Sequence, residues 1–371
     1  MKSKTRISLI SLMSGLLLSS TLTAQPLDPN PHWIEYGSEP VAIRQVNNGA
    51  SQTLQFVAFR DGMLVANLEG GVGEASFPVS ESMVQTLQLE IKEIPAVERL
   101  IAVESYDRAL DTLRPVVYPL IKFHQVPESF TQLHRPIQLL VSTLLDAEKY
   151  PEADDVLSRI QLNEVSLDYS RLAIRLMKAY MQNGNPSAGA RIAGVLPVDG
   201  RYAQNIRSIV DAADSLRASG EYEAVIPLYR EIEKVVSDAA KPNVRMWLAY
   251  CLVLAGRIDE ADPMIDSLQE PEPNQRLFSL YMLLKGSRQH STGNYRLALD
   301  VLTRGFVRAQ ASYDWVPEML YLIGDCYARS AENTAARNVW SEVVILYPDS
   351  PWASPAESSL AELPKPEQST N

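Results

Sequence analysis

The stretch GNYRLALDVL, residues 293 to 302, places a glycine ahead of a tyrosine at offset two, an alanine at five and a leucine at nine. GRIDEADPMI, from Gly256 to Ile265, repeats the offsets with Ile258, Ala261 and Ile265. The frame extends in both directions. Gly184, Gly220 and Gly256 stand 36 residues apart and Gly293 follows 37 later; backward the frame meets Glu148 and, after an interval of 44, Glu104; forward it meets Ala331. Five after these hinges come Ala109, Ala153, Gly189, Val225, Ala261, Ala298 and Ala336. Four before them come Leu100, Leu144, Tyr180, Leu216, Leu252, Gln289 and Tyr327. Such a period holds two helices and a turn. Glycine permits the break between them, and the small residue at offset five lets the helices approach. One pair cannot bury both faces, so neighbours must stack into a solenoid with a continuous core.

These offsets, with the small residues seven before the hinge (Ala213, Ala249, Gly286 and Gly324), resemble the tetratricopeptide repeat (TPR) family. The last unit carries the pattern most fully, from LIGDCYARSAENTAARNVW to Pro348. The resemblance implies a mostly α fold: a TPR-like α-solenoid of about seven helical hairpins. Departures are Gly189 and Val225 for the packing alanine, Gln289 for a large apolar residue, and two first units without a hinge glycine. The closing LYPDSPWASPAESSLAEL is also similar to the end of repeat arrays in bacterial envelope-assembly proteins, with a final capping helix.

The segment before the solenoid has another rhythm. Residues 1–24 read as a signal peptide: Lys2, Lys4 and Arg6 precede an apolar run too short for a membrane span, with Ala24 as the cleavage site. An uncleaved anchor is the other reading. Residues 25–32 are expected as an extended, proline-rich lead-in, and 33–90 as a small all-β module of four or five strands, a barrel or a sandwich. Asp61-Gly62 marks a hairpin inside it, and EGGVGE, residues 69–74, another turn. The solenoid with its capping helix then covers 91–363, and 364–371 form a disordered tail.

The chain carries a net charge of −11, a balance that excludes non-specific nucleic-acid binding, which needs a basic surface. Its four histidines, His32, His124, His134 and His290, have no metal-ligand spacing, and neither a phosphate-binding glycine loop nor a Gly-x-Ser-x-Gly elbow occurs. The expectation is a non-enzymatic protein with no cofactor and no metal. Cys251 and Cys326 both stand five before a hinge, two units apart. Packed helix axes lie at least about 8 Å apart, beyond the reach of a disulfide, so both are expected as free, buried thiols.

The family's first helices line a concave groove that takes peptides or partner helices. Thirteen before three successive hinges stand Arg135, Arg171 and Arg207; Arg175 and Lys178 share a helix face with Arg171, and Arg217 lies near it. Farther along, Asn243, Trp247 and Tyr250 continue the face, followed by Leu280 and Leu284. One reading is a basic stripe that focuses positive potential on an acidic or C-terminal protein segment; the groove residues are then Arg135, Arg171, Arg175, Lys178, Arg207, Arg217, Asn243 and Tyr250. The other is ordinary surface pairing, since Asp211 and Asp214 follow Arg207 at four and seven. The functional expectation is an exported scaffold of the cell envelope that binds a protein or peptide in the groove. A structural subunit contacting partners through the β module, and a glycan-binding protein or enzyme at the module's junction, are the alternatives. The sequence leaves the oligomeric state open.

Overall fold

The computed structural model describes residues 30–47, 49–68 and 73–364. The signal peptide, most of the lead-in, the tail from Lys365 onward and the first four residues of EGGVGE lie outside these.

The described chain starts with a helix, α1 (Pro31–Tyr36), where an extended lead-in and the start of the β module were expected. The local cause is plain. Asn30 accepts a hydrogen bond from the His32 amide, and Pro31 occupies the first helical turn, where its missing N–H costs nothing. Strands β1 (Val41–Asn47), β2 (Ala50–Arg60), β3 (Met63–Asn67) and β4 (Glu74–Pro78) follow, then a turn of helix α2 (Glu81–Val84) and a two-residue strand β5 (Leu87–Gln88). All pair antiparallel in the order β4-β3-β2-β1-β5. Asp61 and Gly62, at φ +52° and +73°, make the tight turn from β2 to β3 that their sequence forecasts. The result is one open sheet with two short helices, not an all-β barrel or sandwich. Val41, Ile43, Phe56, Leu64 and Ala66 bury one face in the same core as Val97 and Leu110 of the helical region, so the sheet needs no second sheet.

The described residues then form seven helical hairpins: α3 (Ile94–Ala102) with α4 (Tyr106–Ile121), α5 (Thr131–Asp146) with α6 (Tyr150–Ser158), α7 (Leu167–Gln182) with α8 (Pro186–Val195), α9 (Asn205–Ala218) with α10 (Tyr222–Val235), α11 (Lys241–Leu254) with α12 (Ile258–Ser267), α13 (Arg276–Ser291) with α14 (Tyr295–Phe306), and α15 (Val316–Arg329) with α16 (Asn333–Leu346). A last helix, α17 (Ala353–Glu362), packs on α16 as the cap. None of these helices is long and apolar enough to cross a membrane.

The hinge frame is a backbone frame. Glu104, Glu148, Gly184, Gly220, Gly256, Gly293 and Ala331 all have left-handed backbone, with φ between +56° and +81°. In every case the next amide donates to the carbonyl four before the hinge, as Ser105 does to Leu100, Lys149 to Leu144 and Glu332 to Tyr327, at 2.8–2.9 Å. This is the Schellman closure of a helix. It explains why Gln289 is tolerated at that offset: its carbonyl does the capping, accepting from Asn294 at 2.9 Å.

Packing between paired helices follows the same register. A Cβ on Gly286 would lie 2.5 Å from Leu302, and one on Gly324 would lie 2.5 Å from the Trp340 indole nitrogen. Thus the residue seven before a hinge is small where the residue nine after it is large. In the third hairpin Met177 stands at the first position and Ala193 at the second, and the Met181 side chain lies 2.8 Å from where a Cβ on Gly189 would stand. Cys251 and Cys326 are free and buried, as their repeat positions require.

Candidate docking surface on the inner wall

First helices of adjacent hairpins touch, α5 with α7, α11 with α13 and α13 with α15, and together they make one wall of the solenoid. The position thirteen before the hinge samples that wall once per unit. In α5, α7, α9 and α11 it is Arg135, Arg171, Arg207 and Asn243, all exposed; in α13 and α15 it is Leu280 and Glu318, both buried.

The exposed stretch is basic but largely paired. Arg135 donates to Glu98 of α3 at 2.6 Å, and Arg175 to Asp146 and Ser142 of α5 at 2.8 and 3.2 Å. Arg171 pairs with Asp168 one turn back on its own helix. Lys178 and Arg207 are exposed and form no ion pair among the described residues. The wall over α5, α7 and α9 is therefore a mixed-charge surface, in which most of the arginines already have a carboxylate, rather than a bare basic stripe. The arginines share a repeat position on this wall, and ordinary pairs absorb much of their charge.

Arg217, Trp247 and Tyr250 belong to a different environment. The Arg217 guanidinium lies 3.7 Å from the centre of the Trp247 ring, with only 9% of its side chain exposed. Its Nε donates to the Tyr229 hydroxyl at 3.2 Å, and its remaining nitrogens face Asp214 at 3.4 Å and Asp314 at 3.7 Å. Asp314 precedes α15, three hairpins farther on. Trp247 packs edge to face on Trp315 at 5.4 Å, and the Trp315 indole donates to Ser279 of α13 at 3.1 Å. Tyr250 is buried and its hydroxyl donates to Glu318 of α15 at 2.9 Å. Tyr250 is therefore an element of a sealed seam and not an exposed groove residue. The solenoid curls here until first helices two hairpins apart meet, and α13, between them, is buried without a break from Phe278 to Leu284. Leu280 and Leu284 are core.

Sequence reasoning missed Glu318 and Trp315. The signal existed, because Glu318 falls on the repeat position of the three arginines, yet sequence spacing does not reveal that the wall closes. Burial pushes the Glu318 carboxyl up to about 7, against the pull of the Tyr250 hydrogen bond. Burial also pushes the Cys251 and Cys326 thiols up, to about 12 and about 11, which leaves them poor nucleophiles.

The histidines are occupied structurally. His134 bridges the Val126 carbonyl (2.8 Å) and the Tyr169 hydroxyl (3.0 Å), and His124 bridges the Ile121 carbonyl (2.9 Å) and the Gln161 amide (3.2 Å). Each arrangement suits a neutral ring with one donor and one acceptor nitrogen, and burial lowers both pKa values. No group of three or more His, Cys, Asp or Glu side chains that would hold a metal ion occurs among the described residues.

No family model matches the chain. Over 93 residues, 25% of its length, it is 36% identical to the TPR repeat-containing protein YpiA of Bacillus subtilis, a match that spans 21% of that relative. Two solved structures resemble it at 15% identity. Naa15/Naa10 bound to HypK-THB covers 73% of this chain and 39% of the matched chain at a TM-score of 0.36. The C-terminal part of a TPR repeat-containing protein from Cytophaga hutchinsonii covers 71% and 98% at 0.34. Seven hairpins in one register, each closed at the same left-handed hinge, make the described chain a helical-hairpin repeat solenoid, similar over its matched segment to a TPR repeat-containing protein.

Proposed function

We propose that this chain is a non-enzymatic, exported scaffold of the cell envelope that docks a protein or peptide partner on the inner wall of α5, α7 and α9. The observation that carries the reading is the split in one repeat position: Arg135, Arg171, Arg207 and Asn243 stay exposed, while Leu280 and Glu318 are covered by the chain itself. A docking wall built from packed helices is preformed, which spares a partner much of the ordering cost of association. Lys178 and Arg207 supply its uncommitted positive charge, and the paired arginines can exchange their acids for a carboxylate of the incoming segment through forked hydrogen bonds. The occupied histidines and the raised thiols support a role without catalysis.

The test combines capture and location. Tagged full-length chain is used to capture partners from envelope extracts, with mass spectrometry of cross-links. Cross-links concentrated on α5, α7 and α9, and lost capture in a Lys178→Glu/Arg207→Glu variant, are the expected results. Capture unchanged by the double reversal removes the reading of this wall. Fractionation that finds the chain only in cytosol removes the exported part.

One observation favours a second reading. The outer edge of β4 pairs with no strand among the described residues, so its backbone groups can accept an added strand. Cross-links confined to Glu74–Pro78 would move the contact to the sheet and make the chain a structural subunit.

A further inference from the structure

The seam between α11 and α15 holds a feature that neither packing nor partner docking requires: a carboxylate buried among aromatic rings. Glu318 is 3% exposed, and among the described residues its one side-chain hydrogen bond comes from the Tyr250 hydroxyl. A carboxylate in such a place loses its hydration and gains one donor in return, so its charged form is disfavoured there and its neutral form fits. The groups that face it are few. From α11 comes Tyr250. Tyr222 of α10 packs edge to face on Tyr250 at 6.3 Å. Arg217 of α9 is taken up by the Trp247 ring, Tyr229 and Asp214, with Asp314 on its far side. From α13 the nearest cation is Arg276, whose guanidinium lies 5.3 Å from the Trp315 ring; the following run from Phe278 to Leu284 is uncharged. Besides burial, only Tyr250 acts appreciably on the Glu318 carboxyl. Among the described residues no cation forms an ion pair with it.

We propose that Glu318 is a pH-sensitive latch for the inner wall: protonated, it holds α15 against α11 and keeps Trp247 and Trp315 covered; ionised, it releases them. This goes beyond partner docking and stands whether or not the α5–α9 wall takes a partner. The direction follows from the environment. In the closed seam the carboxyl titrates near 7, while an open seam returns it to the ordinary glutamate range near 4.5. The closed form is fully favoured below about 4.5, loses ground as pH rises, and reaches its weakest state above about 7, where both forms are ionised.

The experiment is tryptophan fluorescence of the full chain between pH 4.5 and 8.5, with circular dichroism at each pH to confirm that the helices persist. The expected result is a move of emission to longer wavelength and greater quenching by acrylamide as pH rises, levelling off above about 7. Glu318→Gln, neutral at every pH, keeps the short-wavelength emission throughout. Tyr250→Phe removes the one bond that favours the charged form, so the levelling moves to higher pH. Emission that stays flat in the wild type, or that moves equally in Glu318→Gln, overturns the latch. Should Glu318→Gln not fold, a levelling point in Tyr250→Phe that is unmoved or lower overturns it instead.

Discussion

The wall at α5 to α9 and the wall at α11 to α15 are built from the same repeat, yet one is wet and charged and the other dry and aromatic. At the first, guanidinium groups such as those of Arg135 and Arg171 stand in solvent with an acid beside them. At the second, Trp247 and Tyr250 of α11 lock onto Trp315 and Glu318 two hairpins on, with Arg217 of α9 stacked on Trp247. The difference teaches that a solenoid's register decides which positions face inward, whereas side-chain size and local curl decide whether that interior stays open. Volume is distributed to match. Seven before the hinge, the first three hairpins carry Val97, Val141 and Met177, while the last four carry Ala213, Ala249, Gly286 and Gly324.

The largest test of the contrast is truncation. Trp315→Ala, at a fully buried indole, is expected to lower stability by about 3–5 kcal/mol in denaturant unfolding. Arg171→Ala on the open wall should cost no more than ~1 kcal/mol, because its ion pair is exposed. Equal losses would break the distinction. Next comes Gly324→Ala, whose new Cβ meets the Trp340 indole at 2.5 Å; a loss of about 1–3 kcal/mol is expected, visible as a lower melting temperature. Arg217→Ala removes a stacked, nearly buried guanidinium and should cost about 2 kcal/mol, whereas Arg175→Ala stays within the range of an exposed pair.

Acidity should separate the halves by sign. His124 and His134 are buried neutral in the first two hairpins, with their pKa values lowered by burial. Their contribution is complete above the ordinary histidine value of about 6.5 and is lost as pH falls below it toward the folded value. Hydrogen exchange, corrected for intrinsic rates, should show α5 less protected at pH 5.5 than at 7.5, and α11 and α15 the reverse. The smallest effect is at the hinges, where the halves agree. Glu148→Gly and Ala331→Gly each relieve a left-handed backbone and should raise stability by up to ~1 kcal/mol, and by similar amounts.

The repeat was legible because backbone geometry repeats with it. Glu104, Glu148 and Ala331 carry no glycine signal, yet counting from Gly220 located them, since a left-handed hinge is imposed by the period and not by the residue. The Asp61-Gly62 turn was legible for a similarly local reason. The seam was not, because the meeting of Tyr250 with Glu318 is set by accumulated rotation over two units, which no local spacing reports. Helix α13 shows the limit well: LFSLYMLL presents apolar side chains on every face, so its sequence identifies no outward side. Helix α1 escaped through a cap, Asn30 before Pro31, that was legible but lay in a proline-rich stretch read as extended.

Asn30 has a mechanical consequence. Its side chain donates to the Tyr118 hydroxyl at 2.8 Å and to Asp155 at 2.9 Å, while Trp33 lies under the Arg159 guanidinium and Lys122 donates to the carbonyl of Glu39. At the sheet's other end, the Leu89 amide donates to Gln132. The sheet is thus a loop fastened at both ends to the first two hairpins. A tug on the chain's leading end would load α4 and α6 through this clasp before it reached any strand, which makes the clasp the point where tension enters the molecule and leaves the sheet free of it.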